Sequence, residues 1–130
     1  MRVLVTGHNG YVGTVLTPML VKAGHEVVGV DTNLYKGSTF GDEPERLALT
    51  EVEKDIRNLE VSDLAGCDAV LHLAGLSNDP LGDLNPDLTY EINHRASVRL
   101  AALAKQAGVE RYIFSSSCSN YGAGGDDWLH

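Results

Sequence analysis

The sequence predicts an α/β protein built on a doubly wound parallel sheet. Three observations predict it. Short apolar runs of five or six residues recur along the 130-residue chain, separated by helical or loop segments. Runs of this kind suit strands buried on both faces. A glycine-rich turn, TGHNGYVG at 6–13, leaves the first run and opens the first helical pattern. The segments then alternate strand, helix, strand, and right-handed crossovers wind that order into one sheet covered on both faces.

RVLVT (2–6) is the first strand. The helix that follows has Val12, Val15, Leu16, Met19 and Leu20 at spacings of three and four as its apolar face, and Gly24 closes it. Pro18 inside it lacks an N–H, which predicts a kink or a late start. EVVGVD (26–31) is the second strand. Residues 32–50 read as loop, with a helical turn at PERLAL (44–49). EVEKD (51–55) is a short third strand, LEVSDL (59–64) a brief helix and DAVLHL (68–73) a fourth strand. Asn85-Pro86-Asp87 supplies a cap, a first-turn proline and an acidic first turn. The long helix after it carries Leu88, Ile92, Ala96, Leu100, Leu103 and Ala107 on one face and ends before Gly108. ERYIFS (110–115) is the fifth strand. The simplest winding gives a Rossmann-like sheet in the order 3-2-1-4-5.

Composition bounds the function. A hydrophobic share of 43% and a charged share of 22% are those of a globular domain, so disorder and fibrous repeats are excluded. A chain of this length is one domain, residues 1–130, and buries roughly two-thirds of its unfolded surface. No apolar run reaches the roughly 20 residues of a membrane span, and the amino terminus reads as a strand rather than a signal peptide, which fits a cytoplasmic protein. The net charge of −8, with ten scattered basic residues, argues against nucleic acid. Cys67 and Cys118 form no CxxC, and the five histidines show no metal-binding spacing, so neither a disulfide framework nor a metal site is expected.

The turn after the first strand has the chemistry of a diphosphate cradle. Gly7 permits a tight turn, Gly10 lets backbone N–H groups approach a phosphate, and Gly13 lets helix and sheet pack closely. The helix N-terminus supplies the positive potential that an acidic chain lacks elsewhere. Asp31 ends the second strand 18 residues after Gly13, where a carboxylate accepts from adenosine ribose hydroxyls. An acid there repels a 2′-phosphate, and the loop holds no Lys or Arg, so NAD is favoured over NADP.

Five stations in order, GHNGYVG (7–13), VGVD (28–31), DIRN (55–58), HLAG (72–75) and FSSSCSNYG (114–122), resemble the N-terminal part of an extended short-chain dehydrogenase/reductase of the NAD-dependent epimerase/dehydratase group, which acts on nucleotide sugars. The resemblance implies that Gly7, Asn9, Gly10, Tyr11, Val12 and Gly13 hold the pyrophosphate and that Asp31, with Asn33 nearby, binds the adenosine ribose. It implies that Asp55 and Ile56 lie against the adenine and that Leu73, Ala74 and Gly75 line the cofactor between its halves. Asn93 then braces the site, Ser115 lies beneath the nicotinamide, and Ser117 matches the catalytic Ser/Thr. Ser77, Asn78 and Asp79 are candidates for substrate contact. His72 and Cys118 read as packing residues, and Asp55 also reads as a capping acid.

In the resembled family a Tyr-x-x-x-Lys pair moves the proton. Four residues after Tyr11, Tyr35, Tyr90, Tyr112 and Tyr121 stand Val15, Thr39, His94, Ser116 and Gly125, so the 130 residues contain no such pair. The expectation is an incomplete member, lacking a sixth strand and a substrate-binding part, inactive alone and with its fifth-strand edge open to homodimerisation. Two alternatives stay open: a non-catalytic dinucleotide-binding module or partner subunit, and an extended-family reductase of a non-sugar ketone.

Overall fold

The structure, a computed structural model, describes residues 1–35, 49–77 and 84–117. Five parallel strands form one sheet: β1 (Arg2–Thr6), β2 (Glu26–Asp31), β3 (Leu49–Glu53), β4 (Ala69–His72) and β5 (Arg111–Phe114), in the spatial order β3-β2-β1-β4-β5. That is the predicted order. Each strand begins within two residues of its expected position. The largest displacement is β3, which pairs Val27 with Leu49 and Asp31 with Glu53, two residues earlier than the sequence suggests. Only the turn at 44–49 loses its last residue to this strand; its other residues, 44–48, lie outside the described residues.

Two apolar layers sandwich the sheet. On one face, Val3, Val5, Val27 and Ala69 pack under α1 (Gly13–Lys22), with Leu20 and Val21 against them. On the other, Leu4, Val30 and Val70 meet Ile56, Leu59, Leu64, Ala96, Leu100, Leu103 and Ala104. Leu59 and Leu64 bracket the second of two short 3-10 turns, Ile56–Asn58 and Val61–Leu64, which replace the single brief helix expected at 59–64.

Helix α1 starts at Gly13 and runs through Pro18 without a break, but its buried side is not the expected one. Gly13 and Thr17 are buried, whereas Val12, Val15 and Met19 are exposed. Gly13 sets this phase. A Cβ there would lie 2.2 Å from the Gly7 carbonyl oxygen and 2.5 Å from that of His8, so only this hydrogen-sided position can face the loop. Thr17, Leu20 and Val21 then follow at helical spacing toward the sheet.

The long helix is α2 (Pro86–Tyr90), a π turn (Glu91–Ala96) and α3 (Ser97–Gln106) in succession. Its start follows the sequence: the Asn85 side chain accepts from the Leu88 N–H at 3.0 Å, and Pro86 occupies the first turn. Asn85→Ala is expected to lower stability by about 1 kcal/mol, read from a shifted urea midpoint with unchanged slope. The π turn was not anticipated. No helix among the described residues is long and apolar enough to cross a membrane. Strand β5 is an outer strand, and Ile113 on it is 55% exposed.

Candidate functional site

Because all strands are parallel, the carboxyl ends of β1, β2, β4 and β5 share one edge of the sheet, where open α/β sheets bind ligands. The turn leaving β1 is tight and opens directly into a helix. Gly7 takes φ +74°, its N–H donates to the Val30 carbonyl at 2.8 Å, and its own carbonyl accepts from Gly10 N–H at 3.0 Å. A Cβ on Gly7 would lie 2.8 Å from the Ala74 nitrogen, so the loop after β4 rests directly on this turn. The chain then enters α1, where Thr14 N–H reaches the Gly10 carbonyl at 2.9 Å. The N–H groups of Tyr11, Val12 and Gly13 find no partner among the described residues. No side chain caps the helix, and its first turn carries no acid. Helix-terminal donors normally find a cap, and three left open at the positive end of a helix dipole fit a diphosphate.

Asp31, at the end of β2, is tied to that turn. Its carboxylate accepts from the Asn9 N–H at 3.0 Å through one oxygen and from the Asn33 N–H at 2.9 Å through the other. Asn33 sits at φ +56°, a left-handed conformation that asparagine tolerates, and its amide bridges Asn9 at 2.7 Å and Glu53 at 3.0 Å. Among the described residues no other group bonds the Asp31 carboxylate.

Asp55 has a structural duty. It caps the 3-10 turn by accepting from the Arg57 N–H at 2.8 Å, and the Arg57 guanidinium grips both its oxygens, with Nη2 at 2.6 Å. The Arg57 hydrogen bonds hold its carboxyl below the usual range. Ile56 beside it is buried in the core.

On the β4 side, Leu73 N–H continues the sheet to the Thr6 carbonyl at 3.1 Å, and Ala74 N–H reaches Thr6 Oγ1 at 3.3 Å. The Asn93 side chain clamps the same loop: Oδ1 accepts from Leu76 N–H at 2.7 Å and Nδ2 donates to the Leu76 carbonyl at 2.8 Å. Gly75 lies between, and a Cβ there would come within 3.1 Å of Asn93 Oδ1. Ser115 N–H donates to the His72 carbonyl at 3.0 Å, which puts Ser115 at the carboxyl end of β5, and Ser117 follows two residues on. Both serines are exposed. Asn78, Asp79, Cys118 and Tyr121 lie outside the described residues.

Sequence reasoning missed His8. It is 3% exposed, and its ring covers Gly29: a Cβ on Gly29 would lie 2.5 Å from His8 Cδ2. Its Nε2 meets Glu51 at 3.2 Å. A glycine inside a strand marks close approach by another group, so VGVD held the signal. Thr6 and Ser97 were also missed; they hydrogen-bond the buried His72 ring from either side.

The family model described as "NAD dependent epimerase/dehydratase family" matches residues 3–128. A UDP-glucose 4-epimerase of Klebsiella pneumoniae is 36% identical over 129 residues, spanning 94% of this chain and 93% of that protein. The chain belongs to the NAD dependent epimerase/dehydratase family. Members differ in length. The UDP-glucose 4-epimerase of Azospirillum brasilense is 35% identical over 126 residues, which span 94% of this chain but 35% of that protein. The solved structure "MoeE5 in complex with UDP-glucose and NAD" matches with TM-score 0.83 and 33% identity, covering 99% of this chain and 40% of that one. The chain is thus similar to the amino-terminal two-fifths of the longer members of this epimerase/dehydratase family.

Proposed function

We propose that this chain is the NAD-binding region of a nucleotide-sugar epimerase or dehydratase. The observation that carries the reading is the run of three N–H groups at Tyr11, Val12 and Gly13 left open among the described residues, with the Asp31 carboxylate hydrogen-bonded to the same turn. The backbone of residues 11–13 would hold the pyrophosphate, and Asp31, backed by Asn33, the adenosine ribose. Ile56 and Asp55 would flank the adenine, with Asp55 sharing its carboxylate with Arg57. Leu73, Ala74, Gly75 and Ser115 would line the half nearer the nicotinamide. Bound NAD would supply a hydride acceptor for a sugar carbon. Ser117 would hydrogen-bond the reacting sugar hydroxyl, and the phenol that removes its proton would have to come from outside these 130 residues, which contain no Tyr-x-x-x-Lys. That last observation also supports a second reading, a dinucleotide-binding module without turnover. The nucleotide-sugar substrate is proposed from the UDP-glucose in the matching MoeE5 complex. The exposed Ile113 on β5 supports self-association along that edge.

Isothermal titration of the 130-residue chain with NAD tests the reading. Saturable binding is expected, and Asp31→Ala should weaken it by about tenfold or more, since a carboxylate's hydrogen bonds to a ligand are worth about 1.5–3 kcal/mol. A folded chain that binds no NAD, or that binds it equally well without Asp31, sinks the assignment.

A further inference from the structure

We propose that His72 is a positioning residue, the centre of a hydrogen-bond relay of fixed direction that holds residues 74–76 against the glycine turn. The functional consequence rests on reading residues 73–75 as cofactor-lining. The relay itself rests on geometry alone.

Both ends of the relay are chemically one-way. At one end the Ala74 N–H can only donate, and it donates to Thr6 Oγ1 at 3.3 Å. The single Thr6 hydroxyl proton is then free to point at His72 Nδ1, 2.7 Å away. At the other end the Asn93 carbonyl can only accept, and it takes the Ser97 hydroxyl proton at 2.9 Å. Ser97 Oγ must therefore accept from His72 Nε2, at 2.7 Å. The Ser97 half fixes the neutral imidazole, Nδ1 bare and Nε2 protonated, and the Thr6 hydroxyl is placed to donate to that bare Nδ1. Among the described residues, the groups bonded to or ring-packed on the His72 side chain are Thr6 of β1, Ser97 of α3, and Tyr112 and Phe114 of β5, none of them charged at neutral pH.

The two ends return to one loop. Ala74 is held by Thr6, and Leu76 is held through both backbone atoms by the side chain of Asn93, whose own carbonyl ends the relay. Asn93 lies in the π turn, and such turns recur at functional sites because they re-aim side chains out of helical register. A second proton on Nδ1 would face the Thr6 hydroxyl with a donor, and Thr6 would then have two donors aimed at it and no acceptor for its own proton.

The test uses the 15N-labelled chain. Long-range imidazole spectra should show His72 Nδ1 as an unprotonated nitrogen and Nε2 as a protonated one. Thr6→Val, which keeps the shape and removes the hydroxyl, should leave the tautomer that Ser97 imposes, shift the Ala74 and Leu76 amides, and weaken NAD binding by about tenfold. Thr6→Ser should restore the amide shifts and the affinity. The opposite tautomer or an even mixture in the wild type, or a Thr6→Val chain with the wild-type amide shifts, overturns the relay. If Thr6→Val does not fold, Ser97→Ala reads the relay from its other end, and an unmoved Ala74 amide overturns it. NAD affinity unchanged in variants whose amides do move overturns the positioning role. A wild-type chain that binds no NAD removes the cofactor reading, while tautomer and amides still decide the relay.

Discussion

Gly13→Ala is expected to destabilise the chain by about 2–3 kcal/mol and to abolish NAD binding. Two effects compete. Alanine in a helix gains about 1 kcal/mol over glycine in intrinsic propensity. Against that, the new Cβ would stand 2.2 Å from the Gly7 carbonyl oxygen, 2.5 Å from that of His8 and 2.6 Å from the His8 carbonyl carbon. All three are backbone atoms, and none can swing aside as the tip of a flexible side chain would. Relieving the clash means lifting the start of α1 off the turn, which moves the N–H groups of Tyr11, Val12 and Gly13 together. Urea unfolding of wild type and variant decides between the two effects. A midpoint at or above the wild-type value would mean that helix propensity wins and that the turn is softer than its contacts imply.

Acid is expected to remove roughly 3 kcal/mol of stability through His72 alone. Burial pushes its pKa down to about 4, from an ordinary value of 6.5. The ring is 1% exposed, so water screens it little. A depressed histidine favours folding while neutral. Its contribution is complete above pH 6.5 and is lost as the pH falls from there toward 4, because the unfolded chain takes up a proton that the folded chain refuses. Asp55, held below its ordinary value by Arg57, acts in a separate and more acidic window, below pH 3.8. Equilibrium unfolding measured between pH 7 and 4 for wild type and His72→Gln isolates the histidine. The variant should start less stable and show a shallower slope. Parallel slopes would mean that His72 is protonated in the folded chain and that its environment is wetter than the packing indicates.

The parts of the site that were legible in the sequence are those fixed by backbone chemistry close in the chain. Gly7, Gly10 and Gly13 announce a turn that side chains would obstruct, and Asp31 stands at the end of the next apolar run. Asn85 with Pro86 announces a helix start. What was illegible depends on contacts distant in sequence. The buried face of α1 was misread because hydrophobicity favoured Val12, Val15 and Met19, whereas the clash avoided at Gly13 turned Thr17 inward. The bounds of β3 depend on its register with β2, which an exposed edge strand's own residues specify weakly. The capping role of Asp55 was legible, but the grip of the Arg57 guanidinium on its carboxylate needed Arg57 folded back within a 3-10 turn.

By itself, then, the sequence determined the five strands, their parallel order and the place of the glycine turn. Apolar runs, crossover handedness and glycine sterics are local or general rules that need no partner to be known. Only the tertiary structure decided how the helix faces are phased and which polar groups meet beneath the site. Thr6, His72 and Ser97 stand 66 and 25 residues apart. Each is unremarkable in its own segment. Burial together, where an unpaired polar atom costs more than a hydrogen bond returns, gives them one direction and one tautomer.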